Sequence, residues 1–419
     1  MTTKRIYRED QYADSCTAKI TAVRCKDGKD VIACSESVFY PEGGGQPSDT
    51  GTVSLGGTLY EVLHASDESI ESDVWHETDA AEGTFHEGDE VELAIDYDFR
   101  FRNMQRHLGE HMLSGTMDSL FGGINKGFHI GEDYVTIDID LDGRMLTEDE
   151  LDLAERTVNE AIWSDLAVTT EWFDTYEESL IRPVRKKVPH DGRVSVVSVG
   201  DLDDPYDCIA CCGVHPSRSS EVGLLAIYKC ESNKGMNRIY FDCGANAWDR
   251  LTAEAHMLRD IAAGYSCSPK DVPSRMSAEA EQTAALRSRL SDLADYVKEA
   301  EKSIIMEEIK DTGTSTYKYT SGVLGTDEML KMGFDVIHEQ EGLLLIMINP
   351  ETSTCLLLSS DENRKCGDLV KEHAPKFGGK GGGRPDNARA MFSDMKELGS
   401  FVSEIEKESH NGSQTDNNN

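Results

Sequence analysis

Residues 277–310, SAEAEQTAALRSRLSDLADYVKEAEKSIIMEEIK, contain neither glycine nor proline and set Leu286, Leu290, Leu293, Val297, Ala300 and Ile304 at helical spacing. That pattern predicts one long helix, a helical or coiled-coil arm. A solvated linker helix and a dimerising helix both satisfy it. The arm divides the chain: the apolar text after it, FDVIHEQEGLLLIMINPETSTCLLLSS, reads as buried strands of a separate terminal domain. A length of 419 residues suits two to four domains.

Ahead of the arm, residues 5–95 alternate short apolar runs with Gly, Asp and Ser clusters, as a small β domain does. From Arg100 to Phe121 the pattern is helical, YVTIDIDL then has the period of a strand, and residues 147–164 read as an amphipathic helix with Thr147 and Glu150 as its capping box. The fold class expected is α+β. A β-barrel-like domain spans 1–96, an α+β domain 97–250, the helical arm 251–312, a glycine-rich α/β domain 313–405 and a disordered tail 406–419.

The formal charge of -36 repels nucleic acid and anionic membranes at long range, so an RNA partner would have to be met by local basic patches. Eleven scattered cysteines suit reduced thiols or metal ligands better than a disulfide framework, and no apolar run approaches a membrane span or a secretory leader. A soluble cytoplasmic protein is expected.

His107 and His111 stand four apart in RFRNMQRHLGEHMLSG, so on a helix both imidazoles share one face. Far downstream, YDCIACCGVHPSRSSEVG supplies Cys211 and His215, again four apart. Together these nitrogens and the sulfur fit one zinc ion per chain, with Cys208 and Cys212 as spare sulfurs nearby. The letters HLGEH also satisfy the inverted zincin pattern, with Glu110 as general base and Glu171, Glu177 or Glu178 as a further ligand.

Three glycines lie between two prolines in VFYPEGGGQPSDTG, residues 38–51. No Gly-Lys-Ser/Thr ending follows, so this is not a phosphate-binding P-loop. Either a plain turn or a backbone approached closely by a ligand explains it.

FYPEGGGQPSDTG, RHLGEHMLSG and CCGVHPSRSSEVG with NKGMNRIYFDCG resemble, in order, the editing domain of alanyl-tRNA synthetases and of the free-standing alanyl-tRNA editing proteins called AlaX. KFGGKGGGRPDNARAMF, residues 376–392, is similar to the glycine-rich C-terminal domain of the same synthetases. The sequence leaves no room upstream for an ATP-using aminoacylation core, so the resemblance is to the long AlaX form. It implies hydrolysis in trans of mischarged tRNA-Ala, seryl and glycyl esters being the candidate substrates. It also implies zinc at His107, His111, Cys211 and His215. Gly43, Gly44, Gly45 and Gln46 would meet the tRNA's CCA end, and Gln46 is the candidate polar contact. Residues 127–131 would border the amino-acid pocket, with His129 nearest the aminoacyl side chain.

Lys376, Lys380, Arg384 and Arg389, together with the basic segment 182–193, would supply the positive surface for tRNA, and the arm with the C-terminal domain would support a homodimer. Gly109, Glu110 and Cys212 depart from the usual pattern of the synthetases, which bears on pocket polarity. A closed four-ligand zinc is structural by general rules, and an open one is catalytic or substrate-orienting. A non-catalytic RNA-binding module with structural zinc is the remaining alternative.

Overall fold

Two tight turns set the architecture of the first ninety-five residues. Asp27-Gly28 (φ 55° and 75°) and Gly56-Gly57 (φ 59° and 85°) occupy the left-handed region that two-residue hairpins need. They join Ser15–Lys26 to Lys29–Cys34 and Gly51–Leu55 to Thr58–Ser66; with Trp75–Ala81 and Glu90–Ile95 these strands close a six-stranded antiparallel barrel. Inward-facing Ile32, Val53, Val62 and Leu93 fill it. The computed structural model describes residues 2–187 and 192–412, and the chain divides into two units, up to Asp260 and from Ile261.

The rest of the first unit is α+β. A four-stranded antiparallel sheet, ordered Leu225–Asn233, Met236–Cys243, Val135–Asp140, Ile124–Ile130, packs against the helices Tyr97–Phe121 and Glu148–Trp163. The second helix has the expected capping box: Glu150 N donates to Thr147 Oγ1 at 3.3 Å and Thr147 N to Glu150 Oε2 at 2.9 Å. Three further strands, Val168–Phe173, Val194–Gly200 and Pro205–Ala210, form a sheet that delivers the chain to Cys211.

In the second unit one continuous helix, Val272–Thr312, contains the whole of the 277–310 pattern and lies within the expected arm of 251–312. Only Val272, Ile305, Met306 and Ile309 are buried in it. The last three join the core of a five-stranded sheet ordered Thr316–Thr320, Leu344–Asn349, Thr354–Ser359, Asn387–Met391, Lys380–Gly383. Leu344, Ile346 and Ile348 face the helices Cys366–His373 and Met395–Gly412, whereas Leu345 and Met347 face Thr326–Glu339. A strand buried on both faces has to read as an unbroken apolar run, which is why LLLIMIN lacks alternation. The glycine cluster is a strand at the sheet edge, and a Cβ on Gly381 would lie 2.0 Å from Arg389 O. The helix Met395–Gly412 corrects the expected tail, whose part from 406 to 412 is helical; residues 413–419 lie outside the described residues. Among the described residues no helix is long and apolar enough to cross a membrane.

Candidate functional site

The Tyr97–Phe121 helix is the spine of the site. Asp96 caps it by accepting from Phe99 N at 3.0 Å, and every residue from Asn103 to Met117 is buried. A helix covered on all sides can aim polar side chains only into cavities or at partners. His107 and His111, one turn apart, hold their rings 4.9 Å apart, and His215 lies 4.6 Å and 4.8 Å from them. Cys211 Sγ is 3.3 Å from His107 Nε2 and 3.7 Å from His215 Nε2, and the four ligand atoms lie within 4.8 Å of one another. Tetrahedral zinc with ordinary Zn–S and Zn–N bonds would separate sulfur and nitrogen by about 3.5 Å.

The donor set fits such an ion in chemistry as well. Burial pushes His107 down to about 3 and holds His111 and His215 well below the usual imidazole range, with neighbouring imidazoles adding to the effect. The imidazoles are therefore neutral ligands at neutral pH, and Nδ1 of His111 and of His215 is buried without a hydrogen-bond partner. Burial raises the Cys211 thiol, so metal binding there would release a proton. Gly213 N donates to Cys211 Sγ at 3.4 Å, and a Cβ on Gly213 would lie 2.2 Å from the His107 ring. Only glycine lets this loop cross the helix.

Gln46 ties the glycine loop to this cluster. Its Oε1 accepts from Val214 N at 3.2 Å and lies 2.8 Å from His107 Nδ1. An amide N–H can only donate, so the oxygen is identified; Nδ1 then carries the proton and Nε2 is left facing Cys211. Gln46 Nε2 is buried with no partner, a spare donor beside the ligands. The other end of the loop is anchored by Asp49, which accepts from Tyr40 N at 2.6 Å and pairs with the fully buried Arg100 of the helix.

The three glycines are explained in large part by the protein itself. Gly44 and Gly45 have φ of 58° and 82°, and a Cβ on Gly45 would lie 2.5 Å from Phe128. Phe128 in turn stacks on His107 at 5.3 Å. Gly43 needs no such conformation and meets nothing closer than Tyr40 Oη at 3.4 Å.

Two hollows flank the loop. A cavity of about 210 Å³ is bounded by His107, His111, Cys211, Glu110, Asn125 and Phe128. A trough of about 750 Å³ is lined by residues 42–48, His64 and His129. Strand alternation turns Phe128 to the first and leaves His129 exposed in the second. His129, expected nearest the aminoacyl side chain, thus lies in the trough, whereas Asn125, Gly127 and Phe128 line the cavity beside the metal ligands.

Cys208 and Cys212 stay outside the four-ligand cluster. Cys208 packs with Val184, Val194 and Val196, and Cys212 lies against Gly44. Glu171, Glu177 and Glu178 are also outside it, Glu171 being bound by Arg182 at 2.6 Å and 2.8 Å. Arg182 and Arg185, expected to face RNA, are engaged inside the protein, Arg185 with buried Asp207 at 2.7 Å. Residues 188–191 of that basic segment lie outside the described residues. Lys376, Lys380, Arg384 and Arg389 are all exposed in the second unit.

Sequence reasoning missed Arg106, which donates to Asp242 (2.8 Å and 2.6 Å), to Gly131 O (2.9 Å) and to Glu132 O (3.2 Å), and so holds the strand carrying Phe128 and His129 to the helix. Its only signal was a cation directly before His107.

Three family descriptions match the chain: tRNA synthetases class II (A) over residues 11–99, the threonyl and alanyl tRNA synthetase second additional domain over 194–240, and the DHHA1 domain over 328–411. The alanyl-tRNA editing protein AlaX-L of Pyrococcus horikoshii is 27% identical over 401 residues, covering 94% of this chain and 96% of that protein. The alanine–tRNA ligase of Pyrococcus abyssi is 27% identical over 97% of this chain but 43% of its own length, and that of Streptococcus thermophilus 27% over 90% and 44%. The chain thus spans less than half of the ligases and nearly all of the editing protein. Over nearly its whole length the chain is similar to the alanyl-tRNA editing proteins of the long AlaX form, with the second additional domain and the DHHA1 domain following in order.

Proposed function

We propose that this chain edits tRNA-Ala, hydrolysing in trans the ester of seryl-tRNA-Ala and of glycyl-tRNA-Ala. One observation carries the reading: His107, His111, Cys211 and His215 converge in one four-ligand cluster, with His107, His111 and Cys211 on the wall of a small cavity and Gln46 bonded to His107 from the glycine loop. Those four residues would hold one zinc ion per chain, which when bound supplies a fixed positive charge beside an ester carbonyl.

An aminoacyl ester is already activated, so the protein's task is to place it and a water. Gln46 Nε2 is the donor free to meet the ester carbonyl or the terminal ribose, and Gln46 Oε1 holds the His107 tautomer. Phe128, stacked on His107, would form the apolar wall of the cavity beside it. The trough lined by Gly43, Gly44, Gly45, Gln46 and His129 would take the last nucleotides of the CCA end. Lys376, Lys380, Arg384 and Arg389 would meet the phosphate backbone. Leu286, Leu290 and Leu293, exposed by 57%, 68% and 59%, are where a second copy would dock along the arm.

Release of amino acid from seryl-, glycyl- and alanyl-tRNA-Ala tests the reading. Wild-type protein should hydrolyse the first two, and Gln46→Ala should keep its zinc while losing about 10- to 1000-fold in rate, as the loss of one positioned donor does. A Gln46→Ala rate equal to wild type would remove Gln46 from the chemistry.

A further inference from the structure

The cavity beside the metal ligands also contains a carboxyl group that belongs neither to the four-ligand cluster nor to the glycine loop. Glu110 lies between the two ligand histidines in sequence and is 5% exposed, yet it lines the cavity. Ser114 Oγ donates to its Oε1 at 2.6 Å and Asn125 Nδ2 at 2.7 Å. Those two are tied to each other at 2.8 Å, and Asn125 Oδ1 accepts from Gly127 N at 2.9 Å. The carboxylate is therefore held from two elements, the helix and the strand Ile124–Ile130. Among the described residues no hydrogen bond reaches Oε2, whose nearest charged-capable neighbour is His111 Nε2 at 3.8 Å. Arg185, which also lines the cavity, is bound to Asp207. The exposed Lys126 and Lys186 stand on the lining too, so the hollow runs from cationic side chains open to solvent to a carboxyl oxygen without a donor inside.

An aminoacyl-tRNA end has the complementary order: phosphate, then the ribose ester, then an ammonium one carbon beyond the carbonyl. We propose that Glu110 Oε2 receives that α-ammonium, so that the site selects free amino esters and rejects neutral or N-blocked ones. The assignment rests on the ester-hydrolase reading above and adds a substrate-binding residue to it. A buried charged pair with a fixed hydrogen bond contributes about 10- to 100-fold in selectivity.

The test compares seryl-tRNA-Ala with 2,3-dihydroxypropanoyl-tRNA-Ala, in which a hydroxyl of nearly the same size replaces the ammonium. Each rate is divided by the uncatalysed rate for the same ester. Wild-type protein should prefer the seryl ester by about 10- to 100-fold in kcat/KM. Glu110→Gln with unchanged zinc content should reduce that preference at least about tenfold, chiefly through KM for the seryl ester. Equal losses on both esters would assign Glu110 a structural or general-base role and overturn the proposal. Loss of only a serine-over-glycine preference would assign it to the side-chain hydroxyl and overturn it too. Should Glu110→Gln lose its fold or metal, Asn125→Ala, which removes an anchor on Oε1, should still reduce the amino preference at least about threefold; an unchanged preference there overturns the proposal. Hydrolysis of neither ester by zinc-loaded wild type would overturn the hydrolase reading itself, and this assignment with it.

Discussion

A methyl group at position 45 would lie 2.5 Å from the Phe128 ring on a backbone already at φ 82°. Gly45→Ala therefore combines left-handed strain with overpacking, and should lower stability in urea unfolding by about 2–4 kcal/mol. Gly43 carries neither constraint. Gly43→Ala should leave unfolding within about 0.5 kcal/mol of wild type, so any loss of activity in it would report contact of the bare backbone with substrate. Unfolding equally weakened in both variants would contradict this division. For the metal, His107→Ala and Cys211→Ala should lose zinc on elemental analysis, because each removes one of the four ligands. Cys208→Ala should retain it, since that thiol faces valines and accepts a 3.4 Å bond from Ser198 Oγ. Full zinc in both ligand variants would refute the site.

The helix Tyr97–Phe121 is held to its surroundings by two buried guanidinium groups, Arg100 on Asp49 and Arg106 on Asp242. Arg100 and Asp49 are 0% and 1% exposed, so Arg100→Met would strand a carboxylate beneath the glycine loop. It should cost about 3–5 kcal/mol of stability, read as a lowered urea midpoint; a change below about 1 kcal/mol would show that the loop is fixed by other means. The helix and its histidine pair were legible because a four-residue spacing fixes a shared face locally. So were the barrel and the doubly buried strands, which follow from periods of two or from unbroken apolar runs, and the capping box, which follows from the spacing of Thr147 and Glu150. Which face of the strand Ile124–Ile130 meets the metal ligands was not legible. Phe128 and His129 are adjacent, and a one-residue shift exchanges their sides; the deciding contacts, Gly45 on Phe128 and Phe128 on His107, come from distant parts of the chain. Arg100, Arg106, Arg182 and Arg185 were illegible for the same reason. An arginine in text looks like surface, and only the fold supplies Asp49, Asp242, Glu171 and Asp207.

A chain of formal charge -36 has to hold an anionic substrate through a few exposed cations, and the second unit presents Lys380 and Arg384 on and beside an edge strand of glycines. Changing both to Ala should weaken tRNA binding and flatten the slope of log affinity against log salt by up to about two charges, with zinc content unchanged. Hydrolysis at low tRNA should fall more than hydrolysis at saturation, and an unchanged salt slope would remove these residues from the interface. The central claim concerns the chemistry in the first unit, and the initial rate of deacylation by zinc-quantified protein addresses it directly. With seryl-tRNA-Ala and correctly charged alanyl-tRNA-Ala in parallel, the account expects the seryl ester to be hydrolysed and the alanyl ester spared, with the seryl activity lost in His107→Ala. Binding of tRNA without hydrolysis of either ester would contradict it and leave a zinc-containing RNA-binding protein.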